Sequence, residues 1–128
     1  MRKSDMPATI MIVDDEPHIV ELEKAILEAS GFKTMTAGGG ADALKLLEKN
    51  KPDLVILDMM MPGMSGREVC EKIRKNPKTQ NLKVIFVTVA RFSEVGKLSL
   101  KGMNVLDYIT KPFDNEDFLN RIKKIVSK

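Results

Sequence analysis

Three aspartates, a lysine and a threonine stand where they could act on one another. Asp14 and Asp15 follow the apolar run Thr9 to Val13, Asp58 follows Leu54 to Leu57, Thr88 follows Lys83 to Val87, and Lys111-Pro112 lies just past Val105 to Ile109. Clustered carboxylates suit a hard divalent cation, Mg²⁺ or Mn²⁺, held by oxygens with several waters retained. They do not suit a nucleotide loop, where glycine backbone N–H groups approach phosphate and carboxylates would repel it. Three carboxylates in one pocket raise each other's pKa unless a cation and a lysine offset the charge, and Lys111 is the natural counter-ion. A carboxylate flanked by such a cation, a lysine and a threonine hydroxyl is equipped to attack a phosphoryl donor and hold the acyl phosphate. Asp58 is the nucleophile in this reading.

Those residues meet only if the apolar runs are neighbouring strands. The five runs, with Phe32 to Ala37 as the second, read as mostly continuous apolar segments, the pattern of strands covered on both faces. Between them lie helical spacings. Ile19, Leu22 and Ile26 follow Pro17, a good first-turn residue, and stop at Gly31. Ala41, Leu44 and Leu47 form a second stripe, and Val69 and Ile73 a third before Asn76-Pro77. A weak fourth segment lies within Ser93 to Lys101, interrupted by Gly96, which costs about 1 kcal/mol against Ala. The last is clearest: Asp114 caps, Asp117 favours the first turn, and Phe118, Leu119, Ile122, Ile125 and Val126 share one face. Five alternations of strand and helix predict an α/β fold with a five-stranded parallel sheet and helices on both faces. Strand order 2-1-3-4-5, the flavodoxin-like arrangement, makes the first and third strands neighbours and brings Asp14-Asp15 to Asp58 at the switch point.

With 128 residues, 43% hydrophobic and 30% charged, the chain reads as one domain able to bury a core of its own. The domain is expected over residues 8–128, with residues 1–7 as an N-terminal extension. One cysteine, Cys70, excludes a disulfide scaffold and fits a cytoplasmic protein. No apolar run approaches the roughly 20 residues of a membrane span. Charge is uneven: residues 1–66 hold 7 Lys and Arg against 11 Asp and Glu, and residues 67–128 hold 14 against 7. Clustered cations attract phosphate, but these carry no interleaved aromatics and no helix-turn-helix pattern, so a solvated face is preferred to nucleic-acid binding.

At these residues the chain resembles the receiver domain of two-component response regulators, in the single-domain, chemotaxis-regulator-like form. The resemblance rests on Ile12-Val13-Asp14-Asp15-Glu16-Pro17, Leu54 to Leu57 followed by Asp58-Met59-Met60-Met61-Pro62-Gly63-Met64-Ser65-Gly66, Val87-Thr88, and Tyr108-Ile109-Thr110-Lys111-Pro112-Phe113. It implies a phosphorelay protein whose Asp58 accepts phosphoryl from a histidine kinase or phosphotransfer protein. It implies further that Asp15, Asp58 and the Met60 backbone carbonyl ligate Mg²⁺, with Asp14 acting chiefly through water. Thr88 and Lys111 would hold phosphoryl oxygens, Tyr108 would rotate into the space Thr88 leaves, and the Lys111-Pro112 bond would be cis. The phosphorylated state would favour a different surface on the fourth helical segment, fifth strand and last helix, presented to an unidentified protein target. Such a regulator assists only its own phosphorylation and dephosphorylation, and is either a monomer or a phosphorylation-dependent homodimer.

Plainer readings stand beside these. Asp14-Asp15 alone would be a helix cap. The methionines from Met59 to Met64 are loop packing rather than a soft-metal site, because the pocket is rich in oxygen. Gly38-Gly39-Gly40 lacks a following Lys-Ser/Thr and is a turn, His18 is a surface residue, and Cys70 is a small buried hydrophobe. Val89 beside Thr88, where a small residue is usual, narrows access to the phosphoryl site. Three competing functions remain in view: a phosphate-independent binding module, an Mg²⁺ phosphatase of the haloacid dehalogenase type, and a nucleic-acid binder, which a weak and steeply salt-dependent DNA affinity would support. The phosphatase needs a second aspartate two residues past the nucleophile, where Met60 stands.

Overall fold

Alternate side chains of each strand serve opposite layers, and this divides the core in two. A computed structural model of the chain describes residues 7–89 and 102–127. The expected helix within Ser93 to Lys101 lies outside the described residues, as do the first six residues of the expected extension. The elements are β1 (Thr9–Val13), α1 (Pro17–Ala29), β2 (Lys33–Ala37), α2 (Gly40–Leu47), β3 (Leu54–Leu57), α3 (Gly66–Lys75), β4 (Val84–Thr88), β5 (Val105–Thr110) and α4 (Asn115–Val126). The strands form one sheet in the expected order β2-β1-β3-β4-β5, and all pairings are parallel, as the alternation predicted.

Met11, Val13, Val55, Leu57, Val84 and Phe86 point to one side, where Ala43 and Leu47 of α2 and Val69, Cys70 and Ile73 of α3 cover them. Ile10, Ile12, Leu54, Ile56, Ile85, Val87 and Ile109 point to the other, against Leu27 of α1 and Phe118 and Ile122 of α4. The inner strands β1, β3 and β4 are buried on both faces and so are apolar almost throughout, whereas the edge strands β2, with Lys33, Thr34 and Thr36, and β5, with Asp107, are partly exposed and mixed.

Two helix faces differ from the expected stripes. On α1 the buried residues are Glu23 and Leu27, whereas Leu22 is 39% exposed. On α2 they are Gly40, Ala43 and Leu47, and Ala41 faces solvent. In α1 the apolar count misleads because a glutamate occupies the core-facing position.

Caps fix where the helices meet the loops. Ser65 and Glu68 form a reciprocal capping box at α3, and the Asp114 side chain accepts from the Asp117 N–H at α4. Gly66 is required by a close approach: a Cβ there would lie 2.2 Å from the Asp58 carbonyl oxygen. The start of α3 therefore presses directly on the loop that carries Asp58.

Candidate functional site

β1 and β3 are adjacent, so the residues that follow them, Asp14 and Asp58, emerge side by side. Neighbouring strands hold both in place, since Asp58 N–H donates to the Val13 carbonyl at 3.0 Å and Asp14 N–H to the Ala37 carbonyl at 3.2 Å. Both side chains are buried, each residue only 3% exposed. Asp14 Oδ1 accepts the Glu16 N–H at 2.9 Å, which folds the chain back on itself before α1. Asp58 Oδ1 accepts the Met60 N–H at 3.2 Å in the same manner.

Lys111 enters from the end of β5. Its N–H donates to the Thr88 carbonyl at 2.8 Å, which ties it to the end of β4. Its ammonium lies 2.5 Å from Asp14 Oδ2, 3.3 Å from Glu16 Oε1 and 3.5 Å from Asp58 Oδ2. Three carboxylates thus face one cation. Burial raises the Asp14 pKa, against the lowering effect of the Lys111 hydrogen bond. Burial alone would pull the Lys111 ammonium down, but the Asp14 hydrogen bond and the Asp14 and Asp58 charges outweigh it, so the net shift is upward. The lysine therefore stays charged.

One oxygen from each of Asp14, Glu16 and Asp58 lies within 4.8 Å of the others. That donor set fits a hard divalent cation, because carboxylate oxygens at this spacing repel one another until such an ion offsets them. Glu16 is the member that sequence reasoning did not assign. Asp15, expected as a ligand, is exposed and lies outside this cluster. The turn closed by Asp14 and the Glu16 N–H is the local reason: it carries the Glu16 side chain back toward Lys111. A carboxylate run ended by a proline at the first helical position is the signal that could have flagged it.

The remaining residues occupy adjoining places. Thr88 is fully buried at the end of β4 and pairs in register with Thr110. Tyr108 stacks on Phe86 with ring centroids 6.4 Å apart and planes 8° from parallel. The Met60 side chain is 61% exposed, unlike Met61, which is buried, and Val89 is 57% exposed. The Lys111-Pro112 peptide is cis. Cys70 is fully buried, and burial raises its thiol pKa, in keeping with a packing role.

A doubly wound five-stranded sheet with an acidic pocket at its β1/β3 switch point defines a flavodoxin-like regulatory domain rather than a dinucleotide binder. Residues 10–123 match the response regulator receiver domain, and the chain belongs to that family. It is 41% identical over 117 residues to the transcriptional regulatory protein YvrH of Bacillus subtilis, covering 91% of this chain and 48% of YvrH. It is 37% identical over 123 residues to PhoP, the alkaline phosphatase synthesis transcriptional regulatory protein of the same species, covering 96% of this chain and 50% of PhoP. The chain therefore spans about half the length of these relatives, which are regulatory proteins. Among solved structures, the response regulator TrrA of Thermotoga maritima, in complex with Mg²⁺-BeF, superposes with a TM-score of 0.79 at 37% identity, covering 92% of this chain and 98% of TrrA. A CheY-like receiver domain protein of Methanospirillum hungatei gives 0.86 at 30% identity, with 94% of each chain covered. Among the described residues, no helix is long and apolar enough to cross a membrane.

Proposed function

We propose that the chain is a phosphorylatable receiver in which Asp58 is the acceptor. The observation that carries this reading is the position of Asp58: buried, beside a second buried carboxylate, with the Lys111 ammonium 3.5 Å from its Oδ2. A histidine kinase or histidine phosphotransfer protein is the donor. An Asp58 oxygen attacks phosphorus, the P–N bond to the donor imidazole breaks, the ring nitrogen takes a proton, and an acyl phosphate remains. Mg²⁺ or Mn²⁺, when bound, supplies charge neutralisation of the phosphoryl oxygens. Asp14, Asp15, Asp58 and the Met60 carbonyl are the residues we assign to hold it, with Glu16 added by the carboxylate geometry. Lys111 and the Thr88 hydroxyl hold phosphoryl oxygens, and Tyr108 is the aromatic switch.

The same residues support its dephosphorylation. The signal is a rearranged surface around β5 and α4 that binds a protein target, as a monomer or as a phosphorylation-dependent homodimer. Residues 8–128 act as the receiver unit, residues 1–7 extend it, and the cytoplasm is its place of action. The test is intact-mass spectrometry with Mg²⁺ and a small phosphoryl donor or a histidine kinase, beside Asp58→Asn, with beryllofluoride binding in parallel. One phosphoryl group gained by the parent and not by the variant is expected. No modification together with no beryllofluoride binding would leave a phosphate-independent module.

A further inference from the structure

Glu23 is buried where an ionised carboxylate has nothing to bind. The residue is 1% exposed, and among the described residues neither Oε1 nor Oε2 has a hydrogen-bond partner. It lies on α1 one turn before Leu27, whose side chain belongs to the apolar layer of Ile12, Ile56 and Phe118. A buried polar group without a partner calls for a physical account, and a neutral acid is the form such a place accommodates. Nothing in the phosphoryl chemistry above uses it.

The charges that act on Glu23 come from other elements: Asp14 after β1, Lys111 after β5 and Asp58 after β3. All three belong to the acidic pocket, and Glu23 hydrogen-bonds to none of them. Burial first, then the Asp14 charge, push its pKa from 4.5 up to about 8, with Lys111 opposing and Asp58 adding. The group therefore titrates close to neutrality, and the charge within the pocket bears on where.

We propose that Glu23 is a proton-binding site linked to the acidic pocket, holding a proton while the carboxylates of Asp14, Glu16 and Asp58 outnumber Lys111 and releasing it when a divalent cation enters. This rests on the cation-binding reading above. Two added positive charges in the pocket favour the ionised carboxylate across a medium of low polarity. Linkage is reciprocal, so the cation binds more tightly once Glu23 has lost its proton. A negative phosphoryl group acts in the opposite sense and holds the proton in place.

The experiment uses the full chain with ¹³C-labelled glutamate and follows the Glu23 carboxyl carbon by NMR from pH 5 to pH 9.5, without and with saturating Mg²⁺. Glu23→Gln identifies the signal, and through-bond assignment of the wild-type protein serves should that variant not fold. The expected result is a midpoint near 8 without Mg²⁺, lowered by about one unit with it. Mg²⁺ affinity should then rise about tenfold more with pH in the wild type than in Glu23→Gln. A metal-free midpoint near 4.5, or Mg²⁺ binding that leaves the midpoint unmoved, overturns the linkage and leaves the cation reading standing. Absence of Mg²⁺ binding to the wild type overturns both.

Discussion

The Lys111 ammonium lies 2.5 Å from Asp14 Oδ2 and 3.5 Å from Asp58 Oδ2. It is thus anchored on the carboxylate that is not the proposed nucleophile, and it leans on Asp58 only weakly. A lysine so placed offsets the pocket's charge without covering the acceptor oxygens.

Lys111→Met tests this balance. Removing one partner of a buried ion pair typically costs about 3–5 kcal/mol, because the remaining charges lose their compensation. The variant should lose stability on that scale in urea unfolding without metal, and Mg²⁺ should restore part of it by binding only the folded state. An unfolding curve identical to the parent's would mean that Lys111 contributes nothing to the pocket.

Asp58→Asn should act in the reverse direction. It removes one of three mutually repelling carboxylates, so the metal-free variant should be about 1 kcal/mol more stable than the parent near pH 7. It should also lose the stabilisation of about 2.7 kcal/mol that a ligand at a hundred times its Kd gives the parent. Thermal melts with and without Mg²⁺ measure both effects, and undiminished stabilisation of the variant by Mg²⁺ would remove Asp58 from the ligand set.

The ends of β1 and β3 were legible because central parallel strands covered on both faces are apolar almost throughout, so the first polar residue after each run, Asp14 and Asp58, marks its carboxyl end. Thr88 closes β4 itself, and Lys111 follows Thr110, the last residue of the partly exposed strand β5. Glu16 was not legible, since its approach to Lys111 depends on a turn that Asp14 closes through a backbone N–H. Glu23 was hidden for a different reason: a glutamate between Leu22 and Lys24 reads as solvated, yet the helix phase turns it inward and Leu22 outward. The Ser65-Gly66-Arg67-Glu68 capping box was readable from its spacing and would have set the start of α3.

Gly66→Ala should disturb the site through the backbone. A methyl group 2.2 Å from the Asp58 carbonyl oxygen and 2.9 Å from Met59 Cα cannot be accommodated without moving α3 or the loop. A loss of at least about 2 kcal/mol is expected, together with slower phosphorylation. Gly38→Ala, where an added Cβ meets nothing within 4 Å, is the control. Equal effects of the two substitutions would show that the close approach is not what matters.

Arg74 joins α3 to the chain that leads into β5. Its guanidinium donates to the Met103 carbonyl at 2.6 Å, Leu82 at 2.6 Å, Gln80 at 3.0 Å and Asn104 at 3.2 Å. A lysine carries the charge but cannot span four carbonyls with one ammonium. Arg74→Lys should therefore cost about 1–3 kcal/mol and speed amide exchange around residues 102–106, with β1 protected as before. Unchanged exchange there would show that the turn before β5 holds itself.

Glu23 gives the stability curve its slope. Burial pushes its carboxyl up to about 8 in the folded chain, against 4.5 for an ordinary glutamate. Below about pH 4.5 both states hold the proton and there is no penalty. As pH rises from there to about 8, the unfolded chain releases the proton while the folded chain keeps it. Stability then falls by up to about 1.4 kcal/mol per pH unit. Above about 8 the folded state ionises as well, and the contribution levels off at its least favourable value. Glu23→Leu removes the titration and fills the same apolar layer, so its stability advantage over the parent should grow between pH 5 and pH 8 and then stay constant. Urea midpoints across that range decide the matter, and parallel curves for parent and variant would mean that Glu23 reaches water and titrates as an ordinary glutamate.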